Sequence, residues 1–264
     1  MGARGAAVTA NPLLDPTATP VIAHRGASAG APENTLAAFR LAVEQGAEAL
    51  ELDVHATADG VPVVIHDPAL ERTTDLAGLV AACPLARLRE ADAGARFTTD
   101  GGRTFPWRGR GVGVSTLAEV LDEFPALPVL IEVKDPRAQH AVARVLLETG
   151  AAGRCVVASS IHEALAAFEG PPFLRGSSKR DIARLWLGSL VGLALGAPGC
   201  RAYAVPQRHR GLPVVTGGFL AAARRLNCPV HVWTVNDPGV AVGLWRRGVA
   251  GIITNTPAAV LAVR

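Results

Sequence analysis

The sequence predicts a TIM barrel, an α/β fold in which eight parallel strands alternate with helices. Strand-like apolar runs and helix-like periodic runs alternate along most of the 264 residues. Eight strand–helix units in roughly 250 residues is the usual size of this barrel. An open doubly wound sheet is the alternative, but no G-x-G-x-x-G or P-loop pattern follows the first strand. The barrel would place functional side chains at the carboxyl ends of its strands.

The predicted elements follow from apolar periodicity and from the Gly, Pro, Asn and Asp residues between them. Strands are predicted at 21–24, 49–55, 61–66, 129–133, 155–159, 173–176, 202–205, 230–235 and 251–254. Helices are predicted at 35–45, 116–123, 138–149, 161–168, 179–195, 218–226, 238–247 and 257–262. The run at 61–66 follows the strand before it after a turn at Asp59 and Gly60, which leaves eight strands that can be parallel.

The domain organisation is predicted to be simple. Residues 1–20 form a flexible leader, and residues 21–264 form a single barrel domain. The alternation breaks at about 67–114, where Arg-, Gly- and Thr-rich stretches have weak periodicity. Long irregular segments inside compact domains are usually functional, so this segment is predicted to be an insertion after the second strand unit.

Composition and charge restrict the class of protein. The apolar fraction of 49% and the charged fraction of 19% are typical of a packed α/β protein. The formal charge is only +3, and the Arg residues are scattered rather than grouped with aromatic residues. Nucleic acid is therefore not expected as a partner. Composition sets no oligomeric state.

The cysteines indicate a reducing compartment. Cys83, Cys155, Cys200 and Cys228 stand far apart, with no C-x-x-C pair, as expected of buried thiols. The first residues lack an apolar stretch of signal-peptide length. We therefore expect a cytoplasmic location.

The longest apolar stretch covers residues 185–198. Gly188, Gly192 and Gly196 interrupt it, and it is shorter than the roughly 20 residues that a membrane-spanning helix needs. It is predicted to be a buried barrel helix. A helix that docks on lipid headgroups is the alternative, disfavoured because few basic residues lie on it. No transmembrane segment is expected, while peripheral membrane contact stays open.

Three carboxylates share one parity on two strands. Glu51 and Asp53 alternate with apolar residues, so both project from one face, and Glu132 and Lys134 repeat the pattern on a later strand. Carboxylates crowded together repel one another unless a positive charge offsets the repulsion. Oxygen ligands suit hard cations, so the sequence predicts one divalent metal, magnesium or calcium with manganese as a further candidate.

The strand ends also carry two histidines and an arginine. His24 and Arg25 end the first strand, and His66 ends the extended run after the second. Histidine titrates near neutral pH, which suits general base and general acid roles. Arg25 can grip a phosphate through its planar fork, while Lys134 acts as a point charge. Together with the metal, these groups indicate metal-assisted chemistry on a phosphate ester.

The motifs resemble those of the glycerophosphodiester phosphodiesterases, in the order of that family and across nearly the whole chain from residue 21 to residue 262. They are His24-Arg25-Gly26, Pro32-Glu33-Asn34-Thr35, Glu51-Leu52-Asp53-Val54, Val64-Ile65-His66-Asp67, Glu132-Val133-Lys134, Trp233-Thr234-Val235-Asn236 and Gly251-Ile252-Ile253-Thr254-Asn255.

The resemblance implies a TIM barrel with an insertion and assigns roles to the predicted site. The implied metal ligands are Glu51, Asp53 and Glu132. The implied catalytic pair is His24 and His66. The implied phosphate-contacting cations are Arg25 and Lys134. We assign the general base to His24 and the general acid to His66. The resemblance allows attack by the neighbouring glycerol hydroxyl, through a cyclic phosphate, or by water.

Other residues are open to two interpretations. Trp233 is either core or the wall of a substrate pocket, and we include it among the substrate-binding residues. Asn34 or Thr35 is expected to cap the first helix. The chain departs from the family pattern at Ala250 and Asn255, where acids are usual, and at Ser115, where Pro is usual. None of these departures removes a proposed ligand or catalytic histidine.

Three functions follow as hypotheses. The leading one is metal-dependent hydrolysis of small glycerophosphodiesters to glycerol 3-phosphate and an alcohol such as choline or ethanolamine. The second is a lysophospholipase D or sphingomyelinase D-like enzyme, prompted by the apolar stretch and the insertion. The third is a barrel that binds a phosphorylated ligand without turnover, prompted by Ala250 and Asn255.

Overall fold

The structure, a computed structural model, describes residues 11–264. The strands are β1 Val21–His24, β2 Ala49–Ala56, β3 Pro62–Val64, β4 Val129–Val133, β5 Cys155–Ala158, β6 Leu174–Arg175, β7 Tyr203–Pro206, β8 Arg208–His209, β9 Leu212–Pro213, β10 Val230–Trp233 and β11 Ile252–Thr254. The α-helices are α1 Leu36–Glu44, α2 Leu85–Leu88, α3 Leu117–Glu123, α4 Gln139–Glu148, α5 Lys179–Leu190, α6 Gly217–Arg225, α7 Pro238–Arg246 and α8 Pro257–Leu261. Short 3-10 helices span Val80–Ala82, Pro136–Ala138 and His162–Phe168.

Eight parallel strands curl into a barrel. Their order is β6-β5-β4-β2-β1-β11-β10-β7, and β3 pairs antiparallel with β2. The two ends of the sheet meet through a backbone hydrogen bond, in which Arg201 N donates to Arg175 O at 2.8 Å. The β8–β9 hairpin forms a separate two-stranded sheet just after β7. This strand order brings the carboxyl ends of β1, β2 and β4 side by side.

Strand parity builds the layer between strands and helices. On β2, Leu50, Leu52 and Val54 are fully buried and belong to one apolar cluster with Phe39 of α1. Their neighbours on the strand therefore point into the barrel. The apolar half of each strand thus anchors the helices and leaves the other half for the interior.

A buried leucine closes the amino-terminal end of the barrel interior. Leu13 is fully buried and packs in one cluster with Ile22 and Leu130. Asn11 Nδ2 donates to Arg154 O at 3.3 Å, and His231 Nε2 lies 3.0 Å from Leu13 O. Residues 11–20 of the predicted leader therefore pack on the barrel through Leu13, a single apolar side chain that no periodicity reveals in the sequence. The remainder of that prediction, residues 1–10, lies outside the described residues.

The predicted insertion at about 67–114 packs on the barrel through a small core of its own. Leu70, Val80 and Leu88 are buried in one cluster with Val63 of β3 and Ile65 just after it. Much of the segment consists of turns. Its weak periodicity agrees with this architecture, since β3 supplies the apolar platform.

The prediction of one buried helix over the apolar stretch is wrong. Helix α5 ends at Leu190, and Gly192, with φ of 75°, lies in the turn that follows it. The aliphatic side chains of 187–195 are largely exposed: Leu187 58%, Leu190 60%, Val191 72%, Leu193 52% and Leu195 41%. The apolar sequence pattern from which the helix was predicted continues past the turn, because leucine and glycine residues recur there. Among residues 11–264, no helix has both the length and the apolar character required to cross a membrane.

We predict that His231 makes the fold sensitive to mild acid. Burial lowers its pKa to about 4, well below that of an exposed histidine. In this pH range His231 therefore binds a proton in the unfolded chain but not in the folded chain. The free energy of unfolding falls as the pH falls from about 6.5 towards 4. Between pH 7 and pH 5 this single group would remove about 2 kcal/mol of unfolding free energy. Urea unfolding of wild type and His231→Gln at both pH values measures the difference.

The control is His140→Gln, at an exposed position on α4. We expect the loss between pH 7 and pH 5 to be smaller in His231→Gln, since glutamine can still donate to Leu13 O but does not titrate. Equal losses in wild type and both variants would contradict the assignment.

Candidate active site

The three predicted metal ligands converge at the carboxyl ends of neighbouring strands. In the register of β2 and β4, Asp53 lies beside Glu132, and Glu51 precedes Asp53 by two residues. One ligand oxygen from each lies within 4.8 Å of the others. Glu51 is 6% and Asp53 1% exposed. The structure thus gathers two buried carboxylates and one half-buried carboxylate around one point.

The carboxylates have opposite electrostatic environments. Burial, followed by the charges of Asp53 and Glu132, raises the pKa of Glu51 well above its ordinary value. Burial also opposes ionisation of Asp53, but Lys134 and Arg25 outweigh it and lower its pKa. In the protein alone, Asp53 carries a charge and Glu51 resists one. An added cation would stabilise the charged form of Glu51.

Lys134 and Arg25 compensate the acids. Lys134 Nζ lies 2.9 Å from Asp53 Oδ1 and 2.6 Å from Glu132 Oε2. Burial disfavours the charge on Lys134, yet these two acids raise its pKa. Arg25 Nε lies 3.0 Å from Asp53 Oδ2, and Arg25 Nη1 donates to Glu33 at 2.9 Å. The cations predicted to contact phosphate therefore pair with acids in this structure.

The turn after β1 requires glycine. A Cβ on Gly26 would lie 2.6 Å from the backbone and side chain of Ala38, and its φ of 84° disfavours other residues. This close approach of the turn to α1 positions His24 and Arg25 at the barrel mouth.

His24 is oriented by an amide. Its Nδ1 lies 2.7 Å from Asn255 Oδ1 at the end of β11, so Nδ1 donates and Nε2 stays available as a base. Its Nε2 lies 3.9 Å from Glu51 Oε2. Burial and then the charge of Arg25 lower the pKa of His24. The neutral imidazole is thus favoured, as a general base requires.

His66 is oriented by a carboxylate. Its Nδ1 lies 2.6 Å from Asp67 Oδ1, and its backbone carbonyl lies 3.0 Å from His55 Nε2. Hydrogen bonding from Arg72 lowers the pKa of Asp67 to about 2. Asp67 is therefore ionised at neutral pH and fixes the proton on Nδ1 of His66.

An alternating chain of charges joins the two parts of the site. Glu33 accepts from Arg25 at 2.9 Å and from Arg72 at 2.7 Å, and Arg72 also contacts Asp67. This chain runs from Asp67 in the insertion to Asp53 on β2. Sequence reasoning assigned no role to Glu33 or Arg72, although Glu33 lies within a recognised motif.

Two residues of the Pro32-Glu33-Asn34-Thr35 motif have different roles in the structure. Thr35 caps α1, with its side chain accepting from Ala38 N. Asn34, with φ of 59°, donates from Nδ2 to Asp53 Oδ2 at 2.9 Å. Of the two expected caps, Thr35 is the one observed, and Asn34 holds a predicted metal ligand. Strand parity could have indicated His55, which shares a face with Asp53, whereas nothing local links Asn255 to His24.

A cavity of about 620 Å³ opens above these groups. The strand ends contribute all the predicted site residues that line it: His24, Arg25, Glu51, His66, Glu132, Lys134 and Trp233. Helix α5 and the segment around the β8–β9 hairpin contribute Ile182, Trp186, Leu212 and Val214. Trp233 is 42% exposed at the end of β10. The cavity therefore has a charged side and an apolar side.

The residues present fit a divalent metal ion. All three candidate ligands are carboxylates, the donor type that hard cations prefer. Asp53 Oδ1 is buried, and Lys134 Nζ, 2.9 Å away, forms an ion pair with it but lies outside hydrogen-bonding geometry. An ion there would satisfy this oxygen and offset the repulsion that raises the pKa of Glu51.

Known proteins share the sequence pattern. The model of the glycerophosphoryl diester phosphodiesterase family matches residues 24–159 and 192–259. A probable glycerophosphodiester phosphodiesterase of Mycobacterium tuberculosis is 32% identical over 251 residues, covering 89% of this chain and 86% of that protein. An uncharacterised protein from the same species is 34% identical over 168 residues, covering 62% of this chain and 56% of that protein. That alignment spans little more than half of the uncharacterised relative.

Solved structures share the fold. A phosphodiesterase from Oleispira antarctica, solved with its product sn-glycerol-3-phosphate, has a TM-score of 0.74 and 27% identity, covering 93% of this chain and 96% of that chain. These similarities confirm the predicted TIM barrel and the recognised family. With its motifs, its barrel and its matched residues in agreement, this chain belongs to the glycerophosphoryl diester phosphodiesterase family.

Proposed function

We propose that the protein is a metal-dependent hydrolase of glycerophosphodiesters, releasing glycerol 3-phosphate and an alcohol. The observation that carries the proposal is one cavity lined by Glu51, Glu132, His24 and His66, with Asp53 buried beside it. The names of the relatives support the substrate class. Free thiols in the described part of the chain fit the cytoplasmic location expected from the sequence.

The metal would be held by Glu51, Asp53 and Glu132. When bound, it supplies Lewis-acid chemistry at a non-bridging phosphate oxygen. Lys134 and Arg25 lie around the same carboxylates, so their charges can also offset the negative phosphate. The choice among magnesium, calcium and manganese depends on ligand number and geometry.

The histidines would move the protons. His24 Nε2 accepts a proton from the attacking hydroxyl as its oxygen forms a bond to phosphorus. The bond from phosphorus to the alcohol oxygen breaks, and His66 Nε2 donates a proton to that oxygen. Asn255 and Asp67 hold the Nδ1 atoms of the two rings and leave each Nε2 for this work. Attack by the neighbouring glycerol hydroxyl gives a cyclic phosphate that water then opens, whereas attack by water gives the products directly.

A second substrate class, phosphodiesters that bear a lipid chain, is favoured by the apolar side of the cavity. Ile182, Trp186 and Leu212 line it opposite the charged strand ends. Relative turnover of lysophosphatidylcholine and glycerophosphocholine distinguishes the two classes. A barrel without catalytic activity, the third alternative, predicts no turnover of either compound.

We expect the hydrolytic activity to require both a metal and the two histidines. Purified protein with magnesium, calcium or manganese releases glycerol 3-phosphate from glycerophosphocholine, and EDTA abolishes release. His24→Ala and His66→Ala each lower kcat by about 100-fold or more, since each removes a proton-transfer group. Product formation unaffected by EDTA would contradict the role of the metal. Reductions of kcat below about tenfold in the two histidine variants would contradict the proton-transfer roles.

We expect Glu51→Gln to have opposite effects on thermal stability with and without metal. An acid whose pKa is raised on folding loses stability as the pH rises, so neutral glutamine raises Tm in EDTA at pH 7. In wild type, binding of magnesium, calcium or manganese raises Tm, and the variant loses this rise. Thermal unfolding with and without each metal measures both effects.

The control is Glu44→Gln, at an exposed position on α1. It should leave the metal-induced rise in Tm unchanged. A Glu51→Gln protein that still gains the wild-type rise would contradict the proposed ligand.

We also expect the pH dependence of kcat/KM to follow the titration of His24. Burial and Arg25 lower the pKa of His24, so the acidic limb of kcat/KM lies below about pH 6.5. In Asn255→Asp a negative charge replaces the amide beside Nδ1 and raises that pKa. The acidic limb should move up by about one pH unit or more. An unchanged limb would argue against His24 as the base, and Asn227→Asp, after α6, is the matched control.

A further inference from the structure

Six large aliphatic side chains are exposed on the end of α5, on the turn that follows it and on β9 beside the cavity. We call them the apolar rim: Leu187, Leu190, Val191, Leu193, Leu195 and Leu212. The exposed fraction of each side chain is between 41% and 72%. Single exposed leucines are ordinary on protein surfaces, whereas a contiguous apolar patch marks an interaction site. Trp186 Nε1 donates to Pro213 O at 3.0 Å and joins α5 to the hairpin that carries Leu212.

Helix α5 has basic and apolar parts on its single exposed face. At 100° per residue, its exposed side chains fall on the side opposite the buried Asp181, Leu185 and Gly188. Along that face, the amino-terminal half carries basic residues and the carboxy-terminal half carries aliphatic ones. The basic residues are Lys179, Arg180 and Arg184.

The charge of this region differs in sign from that of the remaining chain. Residues 179–225 contain eight of the 26 Lys and Arg residues and one of the 23 Asp and Glu residues, so they carry +7 while the rest carries −4. The one acid, Asp181, is buried, and its Oδ2 lies 2.8 Å from Arg175 Nη2. Arg208 lies on β8 and Arg210 in the hairpin turn before Leu212. Exposed positive charge and exposed aliphatic groups therefore occur together.

The apolar rim adjoins the mouth of the active-site cavity. Lys179, Ala183 and Trp186, one helical turn apart on α5, all line the cavity. Leu190 continues this row by one further turn. Leu212 belongs both to the cavity lining and to the apolar rim. A surface that covers the rim would therefore lie against the cavity mouth.

We propose that the apolar rim docks on the surface of an anionic phospholipid bilayer. Its aliphatic side chains enter the boundary between headgroups and acyl chains, while Arg180, Arg184, Arg208 and Arg210 meet negative headgroups. The net positive charge of residues 179–225 disfavours a second copy of the same face, since a symmetric contact would bring like charges together. This inference goes beyond the proposed function and depends on no catalytic step.

Vesicle sedimentation tests the proposal directly. The protein should bind vesicles of phosphatidylcholine containing about one third phosphatidylserine, bind pure phosphatidylcholine at least tenfold more weakly, and lose affinity as salt rises. Leu187→Ser with Leu190→Ser should weaken binding at least tenfold, because two inserted side chains become polar. Arg180→Gln with Arg184→Gln should weaken it roughly tenfold or more and flatten the salt dependence.

The matched controls change similar residues elsewhere on the described surface. Leu147→Ser, at a position 54% exposed on α4, and Arg144→Gln on the same helix should bind vesicles like wild type. The Leu187 and Leu190 variant should keep wild-type hydrolysis of soluble glycerophosphocholine, since neither side chain lines the cavity. Vesicle binding without any hydrolysis would reject the proposed function and leave the docking surface supported.

Three outcomes would overturn the docking proposal. The first is no binding to the anionic vesicles at low ionic strength, and the second is binding that the Leu187 and Leu190 variant retains in full. The third is a concentration-dependent dimer, seen by light scattering, that this variant abolishes while vesicles bind no wild-type protein. That result would assign the apolar rim to a second copy of the chain.

Discussion

The convergence of Glu51, Asp53 and Glu132 at adjacent strand ends is the constraint on which the site depends. Burying like charges side by side is unfavourable unless cations and hydrogen-bond donors surround them. Arg25, Lys134 and Asn34 meet that requirement, and the close approach of the turn at Gly26 to α1 positions Arg25 beside Asp53. The pKa of Glu51 remains raised, so the protein alone leaves part of the repulsion for a bound cation to relieve.

The irregular segment after the second strand unit is part of the site. It supplies Asp67, which orients His66, and Arg72, which binds both Asp67 and Glu33. Because Glu33 also holds Arg25, the position of one histidine is coupled to the position of a cation beside the carboxylates. The other histidine depends on a different strand, through Asn255. The two rings thus have unequal surroundings, an amide for His24 and a carboxylate for His66, and we propose different proton-transfer roles for them.

The barrel mouth combines a charged side and an apolar side. Charged strand ends suit a phosphate, and the side built from α5 and the hairpin suits an apolar group. The exposed leucines and arginines next to it extend that second chemistry outward. A lipid surface at this edge would place the cavity where substrates derived from phospholipids are released. The proposed hydrolysis of soluble substrates and the proposed docking on a bilayer are then compatible with one barrel.

The sequence by itself determined the barrel, the parity that joins Glu51 to Asp53, and the strand-end positions of His24 and His66, because these follow from periodicity within a few residues. Tertiary structure decided contacts between distant residues, such as His24 with Asn255, 231 positions apart, and Leu13 with His231. It also decided that the leucines after α5 are exposed, because hydropathy reports what a side chain favours, whereas burial depends on which surface faces it.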